Sequence, residues 1–96
     1  MEFHNTPIKD LYTIDLKLNK DDRGNFFRTY CADEFKAAGL GPLNFVQMNQ
    51  SDNKSDGTFR GLHFQYPPYA EDKLIRCIKG SIIDYAVDIR FNSPTC

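Results

Sequence analysis

The chain has almost no excess of either charge, too few cysteines for a covalent framework and no long apolar run, and each shortage removes a class of function. Its 12 basic side chains face 13 acidic ones. No cationic field is available to hold nucleic acid or an anionic membrane surface, so any anionic ligand must be gripped locally. The three cysteines, Cys31, Cys77 and Cys96, are an odd number without CxxC spacing, which favours a reduced, cytoplasmic protein over a disulfide scaffold. The N-terminus lacks a charged segment followed by a secretory apolar stretch. No apolar run approaches the roughly 20 residues of a transmembrane helix, and there is no internal repeat or low-complexity tract.

What is present is an ordinary globular composition, 41% hydrophobic and 26% charged, in 96 residues. That length allows a single domain, spanning 1–96, with a thin core, since so short a chain buries only somewhat over ~60% of its unfolded surface.

Period-2 alternation dominates. Residues Tyr12 to Leu18 put Tyr12, Ile14, Leu16 and Leu18 on one side and Thr13, Asp15 and Lys17 on the other, as in a half-buried strand. Asn19 to Gly24 reads as a turn, and Asn25 to Tyr30 as a second strand with Phe26 and Phe27 on opposite, covered faces. Ala32 to Leu40 is the one plausible helix, with Asp33 and Glu34 in its first turn, an apolar stripe through Phe35 and Ala38, and Gly39 suited to a left-handed cap. Further strands are expected at Phe45 to Gln50, Thr58 to Gln65, Lys73 to Ile78 and Ile82 to Arg90, the last two joined by a tight turn at Lys79-Gly80-Ser81. Short, closely spaced strands with little helix imply an all-β antiparallel sandwich or barrel. The ending Asn92-Ser93-Pro94-Thr95-Cys96 follows directly on a strand, so the fold reads as incomplete at its C-terminal end.

The chemistry concentrates in Arg60-Gly61-Leu62-His63-Phe64-Gln65 and, after a Pro-rich loop, Glu71-Asp72-Lys73-Leu74-Ile75-Arg76. An arginine, a histidine and a lysine between strands can serve as anion anchor, base and enolate stabiliser. Proton abstraction next to a carbonyl is the reaction they suit. Strict alternation would set Arg60 and His63 on opposite faces, so their convergence requires a bulge or kink, which Gly61 permits. Taken singly, each residue has a plainer reading: a lone strand histidine is more often structural, a lone lysine is usually solvated, and Arg23 can simply pair with Asp21 or Asp22. Asp84 and Asp88 either orient His63 or pair with nearby arginines.

Five segments occur in an order and spacing that resemble one family: Asp21-Asp22-Arg23-Gly24-Asn25-Phe26; Phe45-Val46-Gln47-Met48-Asn49 with Ser51; Arg60 to Gln65; Lys73 to Arg76; and Asp84 to Arg90 with Ser93-Pro94-Thr95. Together they resemble the N-terminal part of dTDP-4-dehydrorhamnose 3,5-epimerase and its sugar-nucleotide relatives, which are cupin-type antiparallel β-barrels, or jelly rolls. The resemblance implies removal of protons next to the C4 ketone of a nucleotide-linked, dTDP-type 4-keto-6-deoxyhexose. His63 matches the base and Lys73 the group that holds the oxyanion at O4. Arg23 and Arg60 match ligand and pyrophosphate anchors, and Gln47, Met48 and Asn49 match ligand contacts. Arg28 stands where the family has a substrate-contacting glutamate and reverses its charge, so a preference for the dTDP-rhamnose precursor does not follow automatically.

The family's tyrosine acid and the acidic partner of its histidine fall in the part that would follow Cys96. Tyr66, Tyr69 and Tyr85 are no clear substitutes, the first two lying in a Pro-rich loop and the third on the opposite strand face from Asp84. The resemblance also implies a homodimer or higher homo-oligomer, because the segment carrying Arg23 crosses to a neighbouring subunit. No cofactor is implied. Metal-binding cupins place two histidines at H-x-H, whereas here His63 stands alone in its strand and His4 lies in the N-terminal extension, so no metal is expected.

Overall fold

The computed structural model describes residues 1–96 as two compact units, one formed by Met1–Leu43 with Ala86–Cys96 and the other by Asn44–Tyr85.

The first unit holds all the regular structure. Strands β1 (Glu2–Asn5) and β2 (Tyr12–Asp15) pair antiparallel, with Glu2 opposite Asp15 and His4 opposite Thr13. The expected alternation is realised: Tyr12, Ile14 and Leu16 are half-buried while Thr13, Asp15 and Lys17 are exposed. The ladder nevertheless ends at Asp15, short of Leu18. β1 had no distinct signal, because Glu2-Phe3-His4-Asn5 carries a single large apolar residue, and His4 belongs to a strand where an extension was expected. The β1–β2 loop is closed locally: the Thr6 hydroxyl donates to Ile8 O and Leu11 O, and Asp10 takes a positive φ of 64°, a conformation that aspartate tolerates better than most residues.

Where a turn is expected, Asn19 to Gly24 forms most of a second hairpin, β3 (Asn19–Asp21) against β4 (Gly24–Phe26), with only Asp22 and Arg23 at its tip. β4 stops at Phe26, which is exposed, while Phe27 is half-buried; the expectation of two covered faces therefore holds on one side only.

Helix α1 (Ala32–Ala37) carries the core. Phe35 is 3% exposed and meets the rings of Phe3 and Tyr30 edge-on at centroid separations of 5.1 and 4.9 Å, the geometry that aromatic quadrupoles favour. The helix ends in a Schellman arrangement: Gly39, at φ +83°, donates its N–H to Lys36 O, and Leu40 donates to Phe35 O. These bonds satisfy carbonyls that the last turn leaves open, and the left-handed position explains the glycine.

The second unit contains no paired strand, contrary to expectation over Phe45 to Gln50, Thr58 to Gln65 and Lys73 to Ile78. Ile82 to Arg90, which runs from this unit into the first, is likewise unpaired. Alternation specifies which side chains suit a sheet face but supplies no neighbour, and backbone N–H and C=O groups form a ladder only against a second strand in register. The apolar side chains of these segments stay exposed, Val46, Phe59 and Ile83 among them. The fold class is thus the expected all-β one with a single short helix, in partial form and without a closed barrel.

Candidate active site

In the second unit the candidate residues are held by short local contacts. Arg60 Nε donates to Asn53 Oδ1 at 2.8 Å, and Gln47 Nε2 donates to Glu71 Oε1 at 3.2 Å. His63 and Lys73 are both exposed, as are Met48 and Asn49, with Met48 97% open to solvent. Gly61, between Arg60 and His63, has a φ of +112°, so the chain does leave regular strand geometry there. Glycine permits this positive φ, which L side chains rarely adopt. The adjacent Phe64 and Tyr66 rings pack edge-on at 5.0 Å, and Tyr69 N–H bonds back to Tyr66 O, folding the Pro-rich loop on itself.

In the first unit, Arg23 pairs with Asp21. Its backbone N–H and one guanidinium nitrogen bind the Asp21 carboxylate at 2.8 and 2.7 Å, across the β3–β4 turn, and this pairing holds the Asp21 carboxyl below its usual range. Arg28 binds Glu34 at 3.0 Å, and Glu34 also accepts from the Met1 ammonium at 3.2 Å. The Glu34 carboxyl is lowered, first by Arg28 and then by the amino terminus. Arg28, the charge-reversed position, thus has an acid of its own chain as partner, a pairing with no signal in local spacing.

Asp88 resolves the alternative left open for it by pairing with an arginine. Its carboxylate accepts from Arg90 Nε at 2.9 Å and from the Ser93 and Thr95 hydroxyls. Arg90 extends the network to Asp10 at 2.7 Å and to Lys9 O at 2.8 Å, while Lys9 N–H donates to Thr95 Oγ1. Arg90 above all, then the two hydroxyls, holds the Asp88 carboxyl far below the ordinary carboxylate range. The Asp-x-Arg-x-x-Ser-x-Thr spacing is therefore a latch between the C-terminal turn and the β1–β2 loop.

Residues 5–96 match the sequence profile of the family described as dTDP-4-dehydrorhamnose 3,5-epimerase. The chain belongs to that family. It is 42% identical over 90 residues to the dTDP-4-dehydrorhamnose 3,5-epimerase of Shigella flexneri, covering 94% of this chain and 49% of that protein. Against the enzyme of the same name from Sinorhizobium fredii it is 38% identical over 95 residues, 99% of this chain and 48% of the other. A dTDP-4-dehydrorhamnose 3-epimerase of Streptomyces niveus is 35% identical over 88 residues, 92% of this chain and 42% of that protein. The chain spans about half the length of these curated relatives. No solved structure matches it. All the candidate residues, from Arg23 to Lys73, lie within the span shared with the epimerase family, and no helix is long and apolar enough to cross a membrane.

Proposed function

We propose that this chain acts on a nucleotide-linked 4-keto-6-deoxyhexose, dTDP-linked as in its relatives, by removing the proton next to the ketone. The observation that carries this reading is the Arg60-Gly61-Leu62-His63 and Lys73-Leu74-Ile75-Arg76 pair inside a family match that runs from residue 5 to residue 96. His63 accepts the proton on an imidazole nitrogen, the task of a positioned general base. The electron pair moves into the ketone, and the Lys73 ammonium holds the resulting oxyanion at O4. Arg60 and Arg23 grip the pyrophosphate, for which the planar guanidinium fork is suited, while Gln47, Met48 and Asn49 contact the ligand. Arg28 meets the substrate or its base with a positive charge in place of the family's glutamate. Return of a proton to the same carbon completes a redox-neutral reaction, so no cofactor is called for.

Inversion also needs a donor on the opposite face. Proton exchange next to the ketone is the step assigned to the residues named here. A second reading, binding of the sugar nucleotide without chemistry, is favoured by the exposure of both His63 and Lys73 to solvent. We assign the chain to the cytoplasm, in keeping with its three free cysteines, and to a homodimer or higher homo-oligomer, in keeping with hairpins whose outer edges have no partner strand.

The test is deuterium uptake. Given a dTDP-4-keto-6-deoxyhexose in D₂O, the chain is expected to take up deuterium next to the ketone. His63→Ala should reduce exchange by about 10²–10⁴-fold, the usual contribution of a positioned base. Exchange that survives His63→Ala would show that the wrong base is named. Binding without exchange in the unsubstituted chain would establish the second reading.

A further inference from the structure

The β1–β2 hairpin gathers three potential metal ligands on one face, using none of the residues assigned to sugar chemistry. Glu2 and His4 are two apart in β1 and so project to the same side, and Glu2 stands directly opposite Asp15 in β2. His4 Nε2 is hydrogen-bonded to Asp15 Oδ2 at 2.9 Å, a bond that an ion would replace, and lies 3.9 Å from Glu2 Oε2, and the three ligand atoms all fall within 4.8 Å of one another. Two donors bonded to one zinc at about 2.1 Å are separated by about 3.4 Å in a tetrahedral site, from bond lengths of that order. The observed separations bracket this value, so small rotations of exposed side chains would close the triad around an ion.

The strand register gives a second, electrostatic argument. Like charges directly opposite in an antiparallel pair destabilise it, and Glu2 opposite Asp15 is such a pair. A cation between them converts the repulsion into two attractions. The two carboxylates match the charge of a divalent ion, and one imidazole nitrogen among oxygen donors selects zinc or a similar transition ion over calcium or magnesium, which prefer oxygen alone. All three ligands are surface residues, leaving the remaining coordination positions to water.

We propose that Glu2, His4 and Asp15 form a surface site for a divalent transition-metal ion, with zinc as the reference ligand, which ties β1 to β2. The experiment uses the full, untagged chain stripped with a chelator, titrated calorimetrically with zinc chloride and, in parallel, with cobalt(II) followed by absorption. One site of micromolar affinity is expected, with a cobalt spectrum free of thiolate charge-transfer bands. His4→Ala, and separately the shape-preserving Glu2→Gln and Asp15→Asn, should each weaken binding by at least about tenfold, the scale on which even outer-shell partners of a metal are felt. Zinc should raise the melting temperature of the unsubstituted chain and not of the variants. Undiminished binding in His4→Ala, a thiolate band that disappears on replacing Cys31, Cys77 and Cys96 by serine, or no binding at millimolar zinc would each overturn the proposal.

Discussion

Asp88 engages four donors at once, the Arg90 side chain, the Arg90 backbone N–H and the hydroxyls of Ser93 and Thr95, and its side chain is only 2% exposed. All four favour the ionised form, so its carboxyl titrates well below the usual range, as do those of Glu34 and Asp21 more modestly. On acidification the unfolded chain therefore takes up these protons first. The stabilisation is complete above the unfolded carboxylate range, near pH ~4, and is lost as the pH falls through the lowered folded values. Urea titrations across the acid range should show the first unit weakening below about pH 4, with Asp88→Asn less stable at neutral pH and shallower in its acid limb. An Asp88→Asn profile parallel to that of the unsubstituted chain would mean that the latch contributes nothing to folding.

Among the elements, α1 depends most on a single position. Its six residues are too few to persist alone, so it survives by docking Phe35 on Phe3 and Tyr30 and by the closure at Gly39. Nothing lies within 4 Å of a Cβ built at Gly39, and the cost of a side chain there is therefore conformational only. Gly39→Ala is expected to destabilise the first unit by about 1–2 kcal/mol, the penalty for a left-handed L-residue. Thermal unfolding of the two proteins measures it; an unchanged midpoint would show that the helix end is not held in this conformation in solution. The second unit offers a contrast, since its apolar alternation lacks any element that would cover it.

For the whole molecule, the relevant quantity is the apolar surface left open. Phe35 is the one buried hydrophobic residue, whereas Phe26, Met48, Phe59, Ile83 and Phe91 are largely exposed. Exposed apolar surface on this scale beside unpaired strand edges favours association. At micromolar concentration the chain should sediment as a dimer or a larger homo-oligomer, and a stable monomer across that range would remove the dimer from the proposed function.

Sequence alone determined the features that depend on near neighbours: the Tyr12-Ile14-Leu16 face, the glycine that closes α1, the kink at Gly61 and the all-β class. The family was equally legible, because it rests on the order and spacing of side chains such as Arg60, His63 and Lys73, which survive whatever the backbone does. Tertiary structure decided everything that requires a distant partner. The strands expected between Phe45 and Ile89 remain unpaired because alternation cannot supply a neighbouring ladder. Arg28 met Glu34, and Arg90 reached Asp10 across 80 positions of sequence. The Glu2, His4 and Asp15 cluster likewise exists only because register sets residue 2 against residue 15, and that pairing is fixed by the whole hairpin rather than by any one residue in it.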